Sequence, residues 1–166
     1  MRISFIIVLG ILFVFLVSAE SDYDLEFSGD ARPGSTVAFT INKPQYANNN
    51  YILMFAVGHD TTLVNGTGYN LSDGRVIPLN SSVHSGLFES IYNPRSVGLN
   101  NSQGTLDNNG QATVTWDIPN IPALVETLVT FTYVVVDYNK PMPEAILNIS
   151  NTRITLCISY DGCAIG

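Results

Sequence analysis

Two histidines, two cysteines and a set of loop tyrosines are the residues of this 166-residue chain whose types could do chemistry. His59-Asp60 places an imidazole beside a carboxylate, which is half of the arrangement that activates a serine nucleophile. The other half is missing, because no Gly-x-Ser-x-Gly elbow accompanies it. His84 stands in no motif, and the chain holds no His-Glu-x-x-His, phosphate loop, dinucleotide fingerprint or paired cysteine knuckle. A surface histidine at a strand end accounts for His59 equally well. Carboxylate pairs of the glycosidase kind need a wider cleft than one small domain usually offers. The expectation is therefore a non-enzyme, with no catalytic residue, metal ligand set or cofactor.

Cys157 and Cys163 are separated by Ile-Ser-Tyr-Asp-Gly. In an oxidising compartment that spacing points to a disulfide closing a small C-terminal loop, whose effect on the unfolded chain is modest because the loop is short. Redox or metal use would need a tighter pair or further ligands. Asp107-Asn-Asn-Gly110 gathers oxygen donors before a glycine, as calcium loops do. With Gly110 at the sixth position, however, Thr105 falls first and Trp116 twelfth, where a carboxylate pair is required. Tyr46, Tyr69, Tyr92 and Tyr160 fall in loop segments and are the candidate ligand contacts, suited to stacking on sugars.

These residues must be carried by short strands, since glycine and proline punctuate the whole chain and no long window repeats at a helical period. Asp24 to Ser28 alternates around Leu25 and Phe27. A turn at Arg32-Pro-Gly-Ser35 follows, and Thr36 to Ile41 sends Val37, Phe39 and Ile41 to one face. Tyr51 to Gly58 is apolar on both faces, as in a central strand covered from two sides or lying against a partner. Asp60 to Leu71 reads as a turn or exposed loop, and Arg75 to Leu79 as a short strand broken by Pro78. Ser81 to Tyr92 is ambiguous; a helical turn capped by Ser81 or Ser82 would present Val83, Leu87 and Ile91. Beyond Gly110, Ala112, Val114, Trp116 and Ile118 share one face of a half-buried strand, which makes Trp116 core and Asp107–Gly110 a hairpin turn with Leu106 paired across it. Leu128 to Asp137 is the longest strand, and Arg153 to Ile158 closes the domain.

The N-terminal residues read as a secretory signal. Arg2 precedes about fifteen mostly apolar positions, and Val17-Ser18-Ala19 supplies the small residue needed for cleavage before Glu20. The apolar run is slightly short of the roughly 18 to 20 residues that span a bilayer, so membrane contact is expected only through an uncleaved signal. Loss of Arg2 leaves six basic and fourteen acidic residues, a net charge of −8. That balance excludes nucleic acid, whose phosphates require clustered Lys and Arg. Glu20, Asp22, Asp24, Glu26 and Asp30 read as a solvated acidic leader. Sequons at Asn65, Asn70, Asn80, Asn100 and Asn148 would mark glycan-bearing loops in a eukaryotic secretory route.

Three pieces together carry a likeness: Pro33-Gly-Ser-Thr-Val37 opening a strand, Gly104-Thr-Leu-Asp-x-x-Gly-x-Ala with Ile118-Pro119, and Ser150-Asn151 before Ile-Thr-Leu. With Gly74-Arg-Val-Ile-Pro-Leu79, they resemble a module recurrent in secreted proteins of planctomycetes and myxobacteria. The resemblance spans roughly residues 26 to 158 and implies a bacterial extracellular β-sandwich of unassigned activity.

The expected protein is thus all-β, an antiparallel β-sandwich of about seven or eight strands with immunoglobulin- or fibronectin-like general architecture. Its segments are a signal peptide (1–19), an acidic leader and start of the first strand (20–30), the sandwich (31–158) and a disulfide-closed tail (159–166). It is expected to be secreted or held in the cell envelope, and to act as a structural or adhesive surface-contact module toward a protein partner or surface polysaccharide. Carbohydrate binding by the loop tyrosines is the alternative.

Overall fold

A computed structural model describes residues 23–57, 68–79 and 86–161. The described chain is an antiparallel β-sandwich. One sheet runs β1 (Leu25–Ser28), β2 (Thr36–Asn42), β8 (Gln111–Asp117) and β6 (Leu99–Asn100). In the other, β9 (Leu128–Val136) lies between β3 (Asn50–Val57) on one side and both β10 (Ile146–Ile149) and β11 (Ile154–Cys157) on the other. A short β7 (Gln103–Thr105) continues that sheet beyond β3. The first, second and fourth long strands thus lie opposite the third, fifth and closing ones, which is the immunoglobulin-type division of strands. Eleven strands are present among the described residues rather than seven or eight. The surplus comes from β4 (Tyr69–Asn70), β5 (Val76–Ile77), β6 and β7, each only two or three residues long and too short to show an alternation.

The period of two fills the space between the sheets. Val37, Phe39 and Ile41 of β2 are fully buried, and Val114 and Trp116 of β8 join them from the adjacent strand. From the facing sheet come Tyr51, Leu53 and Phe55, with Val129, Phe131, Tyr133 and Val135. Phe131 is the centre of this core, its ring 4.4 Å from that of Phe39, 5.5 Å from Phe55 and 5.1 Å from Trp116. Trp116 is core as its pattern required, and its indole nitrogen donates to the Val97 carbonyl at 2.9 Å.

The apolar run of β3 is explained by a second layer. Its even residues Met54 and Ala56 turn away from the sandwich core and pack with Val134 and Val136 of β9 and Ile146 of β10. A hairpin of β4 and β5 and the helix α1 (Leu87–Tyr92) cover that outer face through Leu71, Ile77 and Leu87. The second sheet is therefore buried on both sides at this end. Where β7 stops pairing, α1 takes over the edge of β3. The Ser90 hydroxyl, fully buried, accepts from the Phe55 amide at 3.2 Å and donates to the Leu87 carbonyl at 2.7 Å.

Several expectations need correction. The Asp107–Gly110 turn forms as read, with the Asp107 carboxylate accepting from the amides of Asn109 and Gln111 at 2.8 Å. It does not make a hairpin, because β7 before it pairs with β3 and β8 after it pairs with β2, so the turn carries the chain from one sheet to the other. Leu106 accordingly donates its amide to Asn49 instead of pairing across the turn. Gly110 is required there: its φ is +75°, and a Cβ would strike the Lys43 carbonyl. Phe27 was read with Leu25, but Leu25 is buried while Phe27 is exposed on an edge strand. The helical reading holds for Leu87 to Tyr92, though the helix starts after Gly86 without a side-chain cap; Ser81, Ser82 and Val83 lie outside the described residues.

Asp24 also departs from the solvated leader. It is buried beside Lys43, whose ammonium donates to it at 2.9 Å, and it accepts from the Ser150 hydroxyl at 2.7 Å. The Asn151 and Thr152 amides complete the cage. Burial pushes the Asp24 carboxyl up, but the bonds from Lys43, Ser150 and Thr152 outweigh it and hold the group below its ordinary value. Burial, followed by the charge of Asp24, pushes the neighbouring Tyr133 phenol well above its usual range, so it stays neutral.

Candidate functional site

The outer layer does not close completely over the second sheet. Between them lies a cavity of about 380 Å³, within the ~300–1,000 Å³ of small-molecule sites. Its floor is the sheet itself: Ile52 and Met54 from β3, Val134 and Val136 from β9, and Ile146 from β10. These residues point outward because the opposite set, Leu53, Phe55, Val135 and their neighbours, is committed to the sandwich core. Leu71 and Ile77 of the hairpin form one wall, and Leu87 and Ile91 of α1 the other.

The mouth has a different composition. Tyr69, Phe88, Tyr92, Tyr138 and Met142 surround it, and these are five of the ten large apolar side chains exposed among the described residues. Tyr92 is 82% exposed and Tyr138 64%. Phe88 and Tyr92 lie one helical turn apart on α1 with rings 6.5 Å apart and only 13° from parallel. Lys140 is the one charged residue among those lining the site.

Two polar anchors hold the layer that shapes the mouth. Ser90 fixes α1 to the edge of β3, as described above, and Gln103 adds a bond to the Ile91 carbonyl. On the hairpin side, the Arg75 guanidinium donates to the carbonyls of Ile146 and Pro143 and pairs with Asp73 at 2.6 Å. Those bonds from Arg75 hold the Asp73 carboxyl below its ordinary value.

Of the four tyrosines singled out from the sequence, the structure brings Tyr69 and Tyr92 to this one mouth. Tyr46 sits elsewhere, half-buried against the sandwich core with its hydroxyl directed at the Leu147 carbonyl, and so is not a free stacking surface. Tyr160 is exposed beyond β11 and does not line the cavity. Phe88, Tyr138, Met142 and Lys140 were not singled out. For Phe88 a signal existed, since it stands four residues before Tyr92 in the one segment that reads as helix.

His59, Asp60, His84 and Cys163 lie outside the described residues, as do the signal segment and the sequons at Asn65 and Asn80. Cys157 ends β11 half-buried and carries no free thiol. The remaining sequons differ in access. Asn70 is exposed on the hairpin, the Asn100 amide donates to Asp117 at 2.8 Å, and the Asn148 amide nitrogen is buried. Among the described residues no group of three or more His, Cys, Asp or Glu is placed to hold a metal ion. None of their helices is long and apolar enough to cross a membrane. No family model, curated protein or solved structure matches the chain.

Proposed function

We propose that this chain is a non-enzymatic β-sandwich of the secreted or envelope compartment that works by surface contact, with the aromatic-rimmed cavity as its contact site. One observation carries the reading: half of the large apolar side chains exposed among the described residues converge on a single mouth. Exposing aromatic surface to water is unfavourable, and gathering it in one patch marks a site meant to be covered. Tyrosine, phenylalanine and methionine are also the types enriched at the centres of interfaces. The sheet edges are weaker contact surfaces, because the edge strands β1, β6, β7, β10 and β11 offer ladders of only two to four residues.

The test replaces Phe88 and Tyr92 together by serine in a tagged chain expressed in its native host. Both side chains are exposed, so the sandwich persists, and retention on the cell surface or partner should fall by tenfold or more, as for loss of two ~1–2 kcal/mol interface anchors. Unchanged retention would count against the cavity mouth as the contact site. Polysaccharide binding is a second reading, favoured by the near-parallel rings of Phe88 and Tyr92. Under it, the same double substitution abolishes pull-down by insoluble polysaccharide, while a Tyr160→Ser control does not.

Export belongs to the same proposal. The protein recovered from its host should begin at Glu20, and reduction should raise its intact mass by two hydrogens through opening of a Cys157–Cys163 disulfide. An N-terminus at Met1, or two alkylatable thiols without reduction, would overturn this part.

A further inference from the structure

We propose that the cavity takes the hydrocarbon chain of a single-chain amphiphile, with an anionic head held at the mouth by Lys140. The inference rests on reading the aromatic-rimmed cavity as the contact site, and it names what that site accepts.

The division of the lining into two zones is the argument. The floor and walls are aliphatic, from Ile52, Met54, Val134 and Val136 below to Leu71 and Leu87 at the sides. Every polar side-chain group among the lining residues, the hydroxyls of Tyr69, Tyr92 and Tyr138 and the ammonium of Lys140, belongs to an exposed residue at the rim. A polyhydroxylated ligand entering the interior would exchange water for methyl groups and lose a hydrogen bond at each hydroxyl. A hydrocarbon chain loses nothing there and gains burial. Sugars are confined to the rim by the same reasoning, whereas an acyl chain uses both depth and rim.

The head is assigned by charge. Lys140 is the one ionic group in the lining, and its ion pair with Asp137 is long, 3.9 Å, with the two side chains 50% and 27% exposed. Pairs of that kind are weak, so the ammonium remains able to hold a second anion. The rest of the chain is acidic, and any anionic head therefore depends on this local cation.

Calorimetry on the mature protein with hexanoate, octanoate, decanoate and dodecanoate tests the proposal. Affinity should tighten about fourfold for each added methylene, equivalent to ~0.8 kcal/mol, until the cavity is filled. Lys140→Glu, at an exposed position, should weaken decanoate by about tenfold and leave decanol unchanged. Phosphatidylcholine vesicles carrying lysophosphatidylglycerol, a single-chain anionic lipid, form a second arm: binding to them that free decanoate displaces identifies a lipid as a source of the same chemistry. Affinity independent of chain length, or an equal loss of decanol and decanoate in Lys140→Glu, overturns the assignment. If no amphiphile binds while the Phe88 and Tyr92 double substitution still abolishes surface retention, this inference fails and the surface-contact reading stands. If amphiphiles bind and that substitution leaves retention unchanged, the cavity is a ligand site and the surface-contact reading fails.

Discussion

Lys43→Met lowers the unfolding free energy by about 3–5 kcal/mol at pH 7, read as a shift of the urea midpoint with little change in slope. The size follows from what is left behind. Asp24 and Lys43 are 8% and 12% exposed at their side chains, and removing the cation strands a carboxylate away from water. Ser150 and Thr152 still donate to it, but neither carries charge. Acidity supplies the control. In the parent, the folded Asp24 pKa lies below the ordinary 3.8, so its contribution is complete above that value and is lost as pH falls through the folded one. The difference between parent and variant should shrink as pH falls, starting above the parent's range, because without the cation burial favours the protonated carboxyl and the stranded group takes up a proton sooner. A penalty that persists undiminished in acid, or none at neutral pH, would show that the pair is not what holds residue 24 to residues 150–152.

Phe131→Ala produces a loss of similar size, about 3–5 kcal/mol, by a different route. The ring sits at the junction of Phe39, Phe55 and Trp116, which come from both sheets, so truncation leaves a void that no single strand can close. Against a typical domain stability of about 5–15 kcal/mol, that loss is a large part of the whole. Thermal unfolding followed by Trp116 fluorescence measures it directly, because the probe borders the void. Phe131→Leu should recover more than half of the loss; if both variants unfold with the parent, Phe131 is not the packing centre.

What could be read in advance follows a physical line between local and distant partners. The alternation in Thr36–Asn42 and Gln111–Asp117 is a property of each strand alone, and each apolar side chain went to the face its parity required, while Leu128–Val136 is legible as a strand from its β-branched and aromatic content. The two-sided apolar character of Tyr51 to Gly58 calls for cover on both faces, by a second layer or by a partner, and at Met54 and Ala56 the cover is a second layer. The turn at Asp107 to Gly110 was visible for the same reason, since its hydrogen bonds stay within a few residues. Its destination was hidden, because the same turn serves whether the next strand returns to its own sheet or leaves for the other.

Asp24 misled for a related reason. It stands in a run of carboxylates whose described members Glu26 and Asp30 are exposed, while the groups that bury it lie 19 and 126 to 128 residues away. The candidate site shared that obstacle. Its aliphatic floor looks like any strand, and its mouth is assembled from the hairpin, the helix and the loop after β9. Tyrosines alone gave an incomplete guide, because Tyr46 spends its ring on the core and Phe88 and Met142 serve the mouth instead.

The hairpin of β4 and β5 is a two-stranded sheet of its own, in ladder pairing with neither large sheet and fastened to its surroundings through the Arg75 side chain. Replacing it by a longer or shorter loop would therefore shift the register of no strand in the sandwich. The layer that shapes the cavity is thus free to vary in sequence and length while the load of folding stays with the sheets beneath, so a lineage built on this scaffold can reshape that opening without renegotiating how it folds.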